Sequence, residues 1–299
     1  MFAYLVYVLF QLVYLYIAMV DTTFQTITNE TFRYKLGTKC KVATIYRCGR
    51  RTSKKIILFL SGGYQQTYVD YIQKVIIDLL HAISDDEYQY IVFEKLDQSS
   101  IDISDDVAAF LNTLDIEELV IMGFSSGGVV ASHVMNRLND RKSITKRKII
   151  TYDTPWQIQD NVKSFEKNWF YRIDILFFLV VHSVYSRHAD IDLGLVTASR
   201  FHGATKMVAM IQTIHGYSDE EMYRVTGWCW DLPSDVIVVN IYTTKDPLVN
   251  RTTHERFLLL HRGGATFSIY NLPKNVIGHC SDMAWSTDYL KEVLVALHM

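Results

Sequence analysis

A serine set between two glycines, Gly123-Phe124-Ser125-Ser126-Gly127, is the feature of this chain best suited to covalent chemistry. It follows an apolar run at residues 118–122 and precedes a helical pattern at 128–138, so strand, turn and helix meet at Ser125. So tight a turn lifts the hydroxyl clear of the strand end, where a substrate carbonyl can reach it. The flanking glycines let the helix pack closely on the neighbouring backbone. Ser126 is the lesser candidate, since Phe124 stands where a turn centred on Ser126 would need a small residue.

A serine hydroxyl is a weak nucleophile and needs a base within hydrogen-bond reach. Of the 10 histidines, His279 is the best placed, in Ile277-Gly278-His279-Cys280 between the last strand pattern and the last helical one. A carboxylate must then orient the imidazole and stabilise its cation. Asp246 lies in the turn Thr243-Thr244-Lys245-Asp246-Pro247 after a strand pattern, and Asp153 ends the preceding one. Asp246 is preferred and Asp153 is the rival; a turn-forming aspartate near a proline is the bland reading of either. Acyl transfer also needs donors for a developing oxyanion. The backbone N–H of Ser126 is one candidate, and Gly63, in the loop Ser61-Gly62-Gly63-Tyr64, is the other.

Such residues can meet only if the strands before them end along one edge. Residues 32–36 and 41–47 alternate like half-buried antiparallel strands. Apolar runs at 55–60, 88–93, 118–122, 148–152, 236–242 and 265–270 read as further strands. Helical spacing occurs at 68–83, 103–114, 128–138, around 254–260 and at 287–297, with Ser104 expected as an N-cap. Strands alternating with helices indicate an α/β fold with a mostly parallel sheet. The rhythm breaks over residues 156–230, which are strongly aromatic and carry no clear buried strand. One domain at 23–299 interrupted by a helical lid insertion explains this better than two domains in series.

Composition excludes several classes. Lys+Arg 30 against Asp+Glu 32 leaves a net charge of −2, and no basic run interleaved with aromatics suggests a nucleic-acid partner. The basic cluster at 141–148 reads as a solvated loop before a strand. With 4 cysteines the chain is not a disulfide scaffold, and no Cys/His spacing suits zinc. Cys40 and Cys48 could pair if their segment folds back, which the sequence does not fix.

These residues together resemble the α/β-hydrolase family, in motif order and placement, from about Phe32 to the C-terminus. In that family the donor loop commonly reads His-Gly-x; here it is Ser61-Gly62-Gly63, so the resemblance gives Gly63 the donor role with serine in place of histidine. The acid loop is similar to Gly-x-x-Asp, with Thr243 where glycine is frequent, and Gly278-His279 matches the usual ending. The resemblance implies a serine hydrolase of esters, thioesters or amides, through Ser125, His279 and Asp246, without metal or organic cofactor. It also admits catalytically silent binding or scaffold proteins, and thioesterases or peptidases of the same fold.

Residues 1–20 carry no charged side chain and are dense in Leu, Val, Tyr and Phe. As a helix they would cross a hydrocarbon core of ~30 Å. A cleaved signal peptide is the competitor, but no basic residue precedes the apolar run, and Ala18-Met19-Val20 is a poor cleavage site. The expectation is a single-pass membrane anchor within residues 1–22. Two sequons, Asn29-Glu30-Thr31 and Asn250-Arg251-Thr252, are compatible with a body in the secretory pathway. An apolar lid beside an anchor points to a lipid-like ester as substrate.

Overall fold

Short runs rich in Ile and Val, such as 56–60, 119–122 and 236–241, are too brief for helices and bury residues on both faces. Each forms a strand. The computed structural model describes residues 28–36, 39–60, 87–94, 100–155, 218, 220, 227–243, 266–272, 294–296 and 298. Eight strands form one sheet among them: β1 Thr28–Leu36, β2 Lys39–Gly49, β3 Lys55–Leu60, β4 Tyr88–Glu94, β5 Glu118–Phe124, β6 Lys146–Tyr152, β7 Val236–Thr243 and β8 Thr266–Leu272. Their order is β1-β2-β4-β3-β5-β6-β7-β8. β1 pairs antiparallel with β2, and β2 with β4; every other pairing is parallel. The expected α/β architecture with a mostly parallel sheet is present.

Two helices, α1 Ser100–Leu111 and α2 Ser126–Arg137, pack on one face. Their Ile103, Val107, Phe110, Val130 and Val134 meet every second residue of the strands, including Leu58, Ile121, Ile149 and Val238. That period of two is the geometry of a strand. The opposite face is also buried, through Phe59, Met122, Ile150 and Val239. A sheet covered on both sides leaves its strand ends as the natural place for polar chemistry.

Three expectations are corrected. Ser104 is no N-cap: α1 starts a turn earlier, and Ser104 is buried inside it, with its hydroxyl 3.5 Å from the Val130 carbonyl of α2. The basic cluster at 141–148 is not simply a solvated loop. The Arg141 guanidinium donates to the Leu111 carbonyl at 2.5 Å and to that of Leu114, closing the end of α1. Arg147, buried in β6, donates to the carbonyls of Leu138 (3.3 Å) and Arg141 (2.6 Å) and pairs with Asp235. Terminal helix carbonyls need donors, and sequence alone does not reveal which arginine supplies them. Finally, Cys40 and Cys48 lie on the continuous strand β2, so about 26 Å of extended backbone separates them and they cannot bridge.

The stretch that leads into β7 is fastened to α2. The Ser132 hydroxyl accepts from the Cys229 N–H at 2.9 Å and donates to the Val129 carbonyl at 2.7 Å. His133 Nε2 lies 2.9 Å from the Gly227 carbonyl, which only accepts, so this nitrogen carries the proton. Asn136 donates to the Asp231 carbonyl, and Trp228 is buried in the same core. Among the described residues no helix is long and apolar enough to cross a membrane. The expected anchor at 1–22 and most of the expected lid at 156–230 lie outside the described residues.

Candidate active site

The parallel strands β3, β5, β6, β7 and β8 are neighbours, so their C-terminal ends share one edge. Ser125 stands there, directly after β5 and directly before α2. Its backbone has φ 51° and ψ −127°, a region an L-residue occupies at a cost of roughly 1–3 kcal/mol. Surrounding contacts hold it there. The Ser125 N–H donates to the Tyr152 carbonyl at 2.9 Å, and its own carbonyl accepts from the Gly128 N–H at 3.1 Å.

The glycines around it are required by contact. A Cβ on Gly123 would lie 2.4 Å from the Gly128 Cα, and one on Gly128 would lie 2.1 Å from the Thr154 hydroxyl oxygen. Strand and helix therefore touch backbone to backbone, and the helix backbone packs on the Thr154 side chain at the start of the next loop. The second of these contacts, through Gly128, was missed in the sequence; the Gly127-Gly128 doublet was its only trace.

A serine at a helix N-cap ordinarily bonds an amide of the first turn. Ser125 makes no such side-chain bond, and the residue is only half-buried. Its hydroxyl is thus not consumed in capping. Ser126, the first residue of α2, places its N–H at the positive end of the helix dipole, which favours a developing negative charge.

Asp153 repeats the pattern one strand over. It follows β6, has φ 43°, and donates its N–H to the Ile241 carbonyl of β7 at 3.0 Å. Ser125 and Asp153 are the non-glycine residues with positive φ among those described. Asp153 and Thr154 are fully buried. The residues before the two turns, Phe124 and Tyr152, are register partners with an edge-on ring contact at 6.4 Å, and Phe59 stacks on Phe124 at 6.4 Å. This aromatic row steadies the three strand ends from the far face. On the α2 face, the buried Thr151 hydroxyl donates to Asn240 at 3.0 Å, tying β6 to β7.

Of the residues singled out in the sequence, Ser125, Ser126 and Asp153 are brought to this edge. His279, Asp246 and Gly63 lie outside the described residues; the strands that precede them, β8, β7 and β3, end at the same edge. Two cavities lined by described residues lie at the opposite edge. One of about 380 Å³ is lined by Arg50, Ser53, Lys54, Lys55, Glu87 and Glu117, and one of about 230 Å³ adjoins it. There Lys54 pairs with Asp115 at 3.0 Å and Glu117 at 2.9 Å, and Lys55 with Glu87 at 2.6 Å. Burial, and then the hydrogen bond to Glu118, push the Tyr88 phenol well above its ordinary range.

Solved structures share this architecture. An esterase from Pyrococcus furiosus superposes with a TM-score of 0.57 at 12% identity, covering 92% of this chain and 91% of that one. A membrane phospholipase A, described as a bacterial virulence factor, gives 0.58 at 10% identity, covering 99% and 94%. The acylaminoacyl peptidase of Pyrococcus horikoshii gives 0.55 at 13% identity, covering 95% of this chain and 43% of that one. The chain has the α/β-hydrolase fold. By sequence, no protein-family model matches it, and no curated protein does either. Ser125 occupies the strained turn after β5.

Proposed function

We propose that the chain is a serine hydrolase that cleaves an ester of lipid-like character through an acyl-enzyme. The observation that carries this reading is the backbone of Ser125, held at φ 51° on the end of β5 with its side chain not used as a cap. In the proposed reaction the Ser125 oxygen attacks the ester carbonyl while His279 takes its proton. Asp246 orients the imidazole and stabilises its cation. The N–H groups of Ser126 and Gly63 receive the oxyanion. Collapse expels the alcohol, which takes the proton back from His279. Water then attacks the acyl-enzyme by the same route and restores the serine.

The lipid-like substrate is supported by the aromatic, apolar composition of residues 156–230 and by the uncharged apolar stretch 1–20, read as a single-pass membrane anchor. The fold neighbours include an esterase and a phospholipase, which agrees with the class of reaction.

The test is a fluorophosphonate probe applied to the full-length protein in membranes or detergent, with the labelled peptide read by mass spectrometry. Labelling is expected at Ser125. In Ser125→Ala it should vanish, together with at least a thousandfold of kcat/KM toward p-nitrophenyl esters, while the melting temperature stays near wild type. A folded wild-type protein that takes no label at Ser125 would remove the hydrolase reading. A panel of acyl-chain lengths then tests the lipid preference, with long or medium chains expected to exceed acetate in kcat/KM.

A further inference from the structure

The strained backbone of Ser125 is flanked by two hydrogen bonds. Its N–H donates to the Tyr152 carbonyl at 2.9 Å, and its carbonyl accepts the Gly128 N–H at 3.1 Å. One side chain, that of Thr154, touches both of these partners. We propose that Thr154 is a positioning residue for the nucleophile, a wedge between the end of β6 and α2 that holds Ser125 in its attacking conformation. The inference rests on the hydrolase reading and deepens it.

Three observations carry it. The first is contact with the helix. A carbon in the Cβ position of Gly128 would lie 2.1 Å from the Thr154 Oγ1, 2.6 Å from its methyl carbon and 2.8 Å from its Cβ. The Thr154 side chain therefore fills the notch that glycine leaves in the first turn of α2. The second is contact with the strand end. The Thr154 hydroxyl stands 3.5 Å from the Tyr152 carbonyl, the acceptor of the Ser125 N–H. So long a hydrogen bond is weak, and the wedge acts mainly through the volume it fills. The third is burial: Thr154 is fully removed from solvent. Cutting it back leaves a void that closes only by movement of the backbone around it.

A residue at φ 51° stays there only while its surroundings over-determine it. With the wedge gone, both anchors of Ser125 can shift, and its backbone can relax toward an ordinary conformation. That movement carries the Ser125 oxygen and the Ser126 N–H away from the substrate carbonyl. A misplacement of about 1 Å costs about a hundredfold in rate. The loss therefore falls on formation of the covalent bond. A residue needed only for folding would lower the melting temperature and leave the rate per folded molecule unchanged.

The experiment measures the rate of fluorophosphonate labelling at Ser125 in full-length wild type, Thr154→Ala, Thr154→Ser and Thr154→Val. Rates are taken per folded molecule, well below each melting temperature. Thr154→Ala is expected to lose about thirtyfold, and Thr154→Ser, which lacks only the methyl, about tenfold. Thr154→Val keeps the outline of the wedge and should stay within about threefold of wild type. A folded Thr154→Ala that labels at the wild-type rate would overturn the proposal, however much stability it had lost. A folded Thr154→Val as slow as Thr154→Ala would overturn it too, since filled volume would then not be what positions Ser125. Should Thr154→Ala not fold, Thr154→Ser decides, and wild-type labelling there overturns the proposal. Failure of all three to fold, seen by circular dichroism, would give Thr154 a structural role alone and end the proposal. If wild type itself takes no label at Ser125, the hydrolase reading fails first and this inference with it; if wild type labels, only the inference is at stake.

Discussion

At the C-terminal edge of the parallel strands, two polar residues sit in left-handed backbone, and Gly123 and Gly128 pack against backbone and against the Thr154 side chain without room for a methyl group. At the N-terminal edge, Lys54, Lys55, Glu87, Asp115 and Glu117 form exposed ion pairs. One edge is tightly determined and strained, and the other is charged and loose. Exposed pairs gain little because water and salt compete for each partner, whereas close backbone contacts leave nothing to yield. Charge density and cavity volume point to the second edge. Strain and polar burial point to the first, the edge on which the proposed function rests.

Adding a single methyl group tests that contrast most severely. In Gly123→Ala the new carbon would meet the Gly128 Cα at 2.4 Å, and backbone cannot rotate away. The expected cost is about 3 kcal/mol of stability by urea unfolding, with loss of probe labelling at Ser125. In Gly128→Ala the clash is with the Thr154 side chain, at 2.1 Å to the oxygen and 2.6 Å to the methyl. Its expected cost is about 2 kcal/mol. Thr154→Ala removes both atoms and should recover more than half of it, a coupling of about 1 kcal/mol in a double-mutant cycle. The same Thr154→Ala should do nothing for Gly123→Ala. Equal rescue of both would show that the elbow is looser than these contacts require.

The C-terminal edge was also the more legible one. Ser125 and its setting followed from an apolar run, a Gly-x-Ser-x-Gly turn and a helical pattern, because each is written in local sequence. The strands at 55–60 and 236–242 were legible for the same reason: short Ile- and Val-rich runs buried on both faces have few alternatives. What escaped was tertiary. Nothing local marks Ser104 as a mid-helix residue against α2, or Arg141 as the donor to the end of α1. The positive φ of Asp153 depends on its bond to Ile241, far along the chain. His279, Asp246 and Gly63 rest on chain order and on the strands that precede them.

Arg141 provides an intermediate case, since it is charged but half-buried and bonded to backbone. Its donor contacts to backbone reach the carbonyl of Leu111, which also accepts the Leu114 N–H at 3.0 Å, and that of Leu114, beyond the end of α1. Arg141→Met keeps the aliphatic stem and deletes those bonds. The expected loss is about 1.5 kcal/mol in denaturant unfolding, with kcat/KM unchanged, because the proposed site lies at the other edge. A loss in activity without a loss in stability would mean that the two edges are coupled through α1.

The smallest effect belongs to the exposed pairs. The Glu87 carboxylate is held below its ordinary value of 4.5, first by the hydrogen bond to Lys55 and then by that lysine's charge. A depressed carboxylate contributes stability that is present above 4.5 and fades as the pH falls through the lower, folded-state value. Lys54, raised by its bonds to Glu117 and Asp115, contributes in the opposite sense: its share is complete below 10.5 and fades as the pH rises through the folded value. Between those limits neither pair makes stability depend on pH. Because the pair is exposed, Glu87→Gln should lower the melting temperature at pH 7 only slightly, and flatten the acid limb of the stability curve by the same small amount. Adding 0.5 M salt, about a 4 Å screening length, should reproduce that flattening in the wild type. A large shift at pH 7 would place real stabilisation in a solvent-exposed pair, and the difference drawn between the two edges would have to be given up.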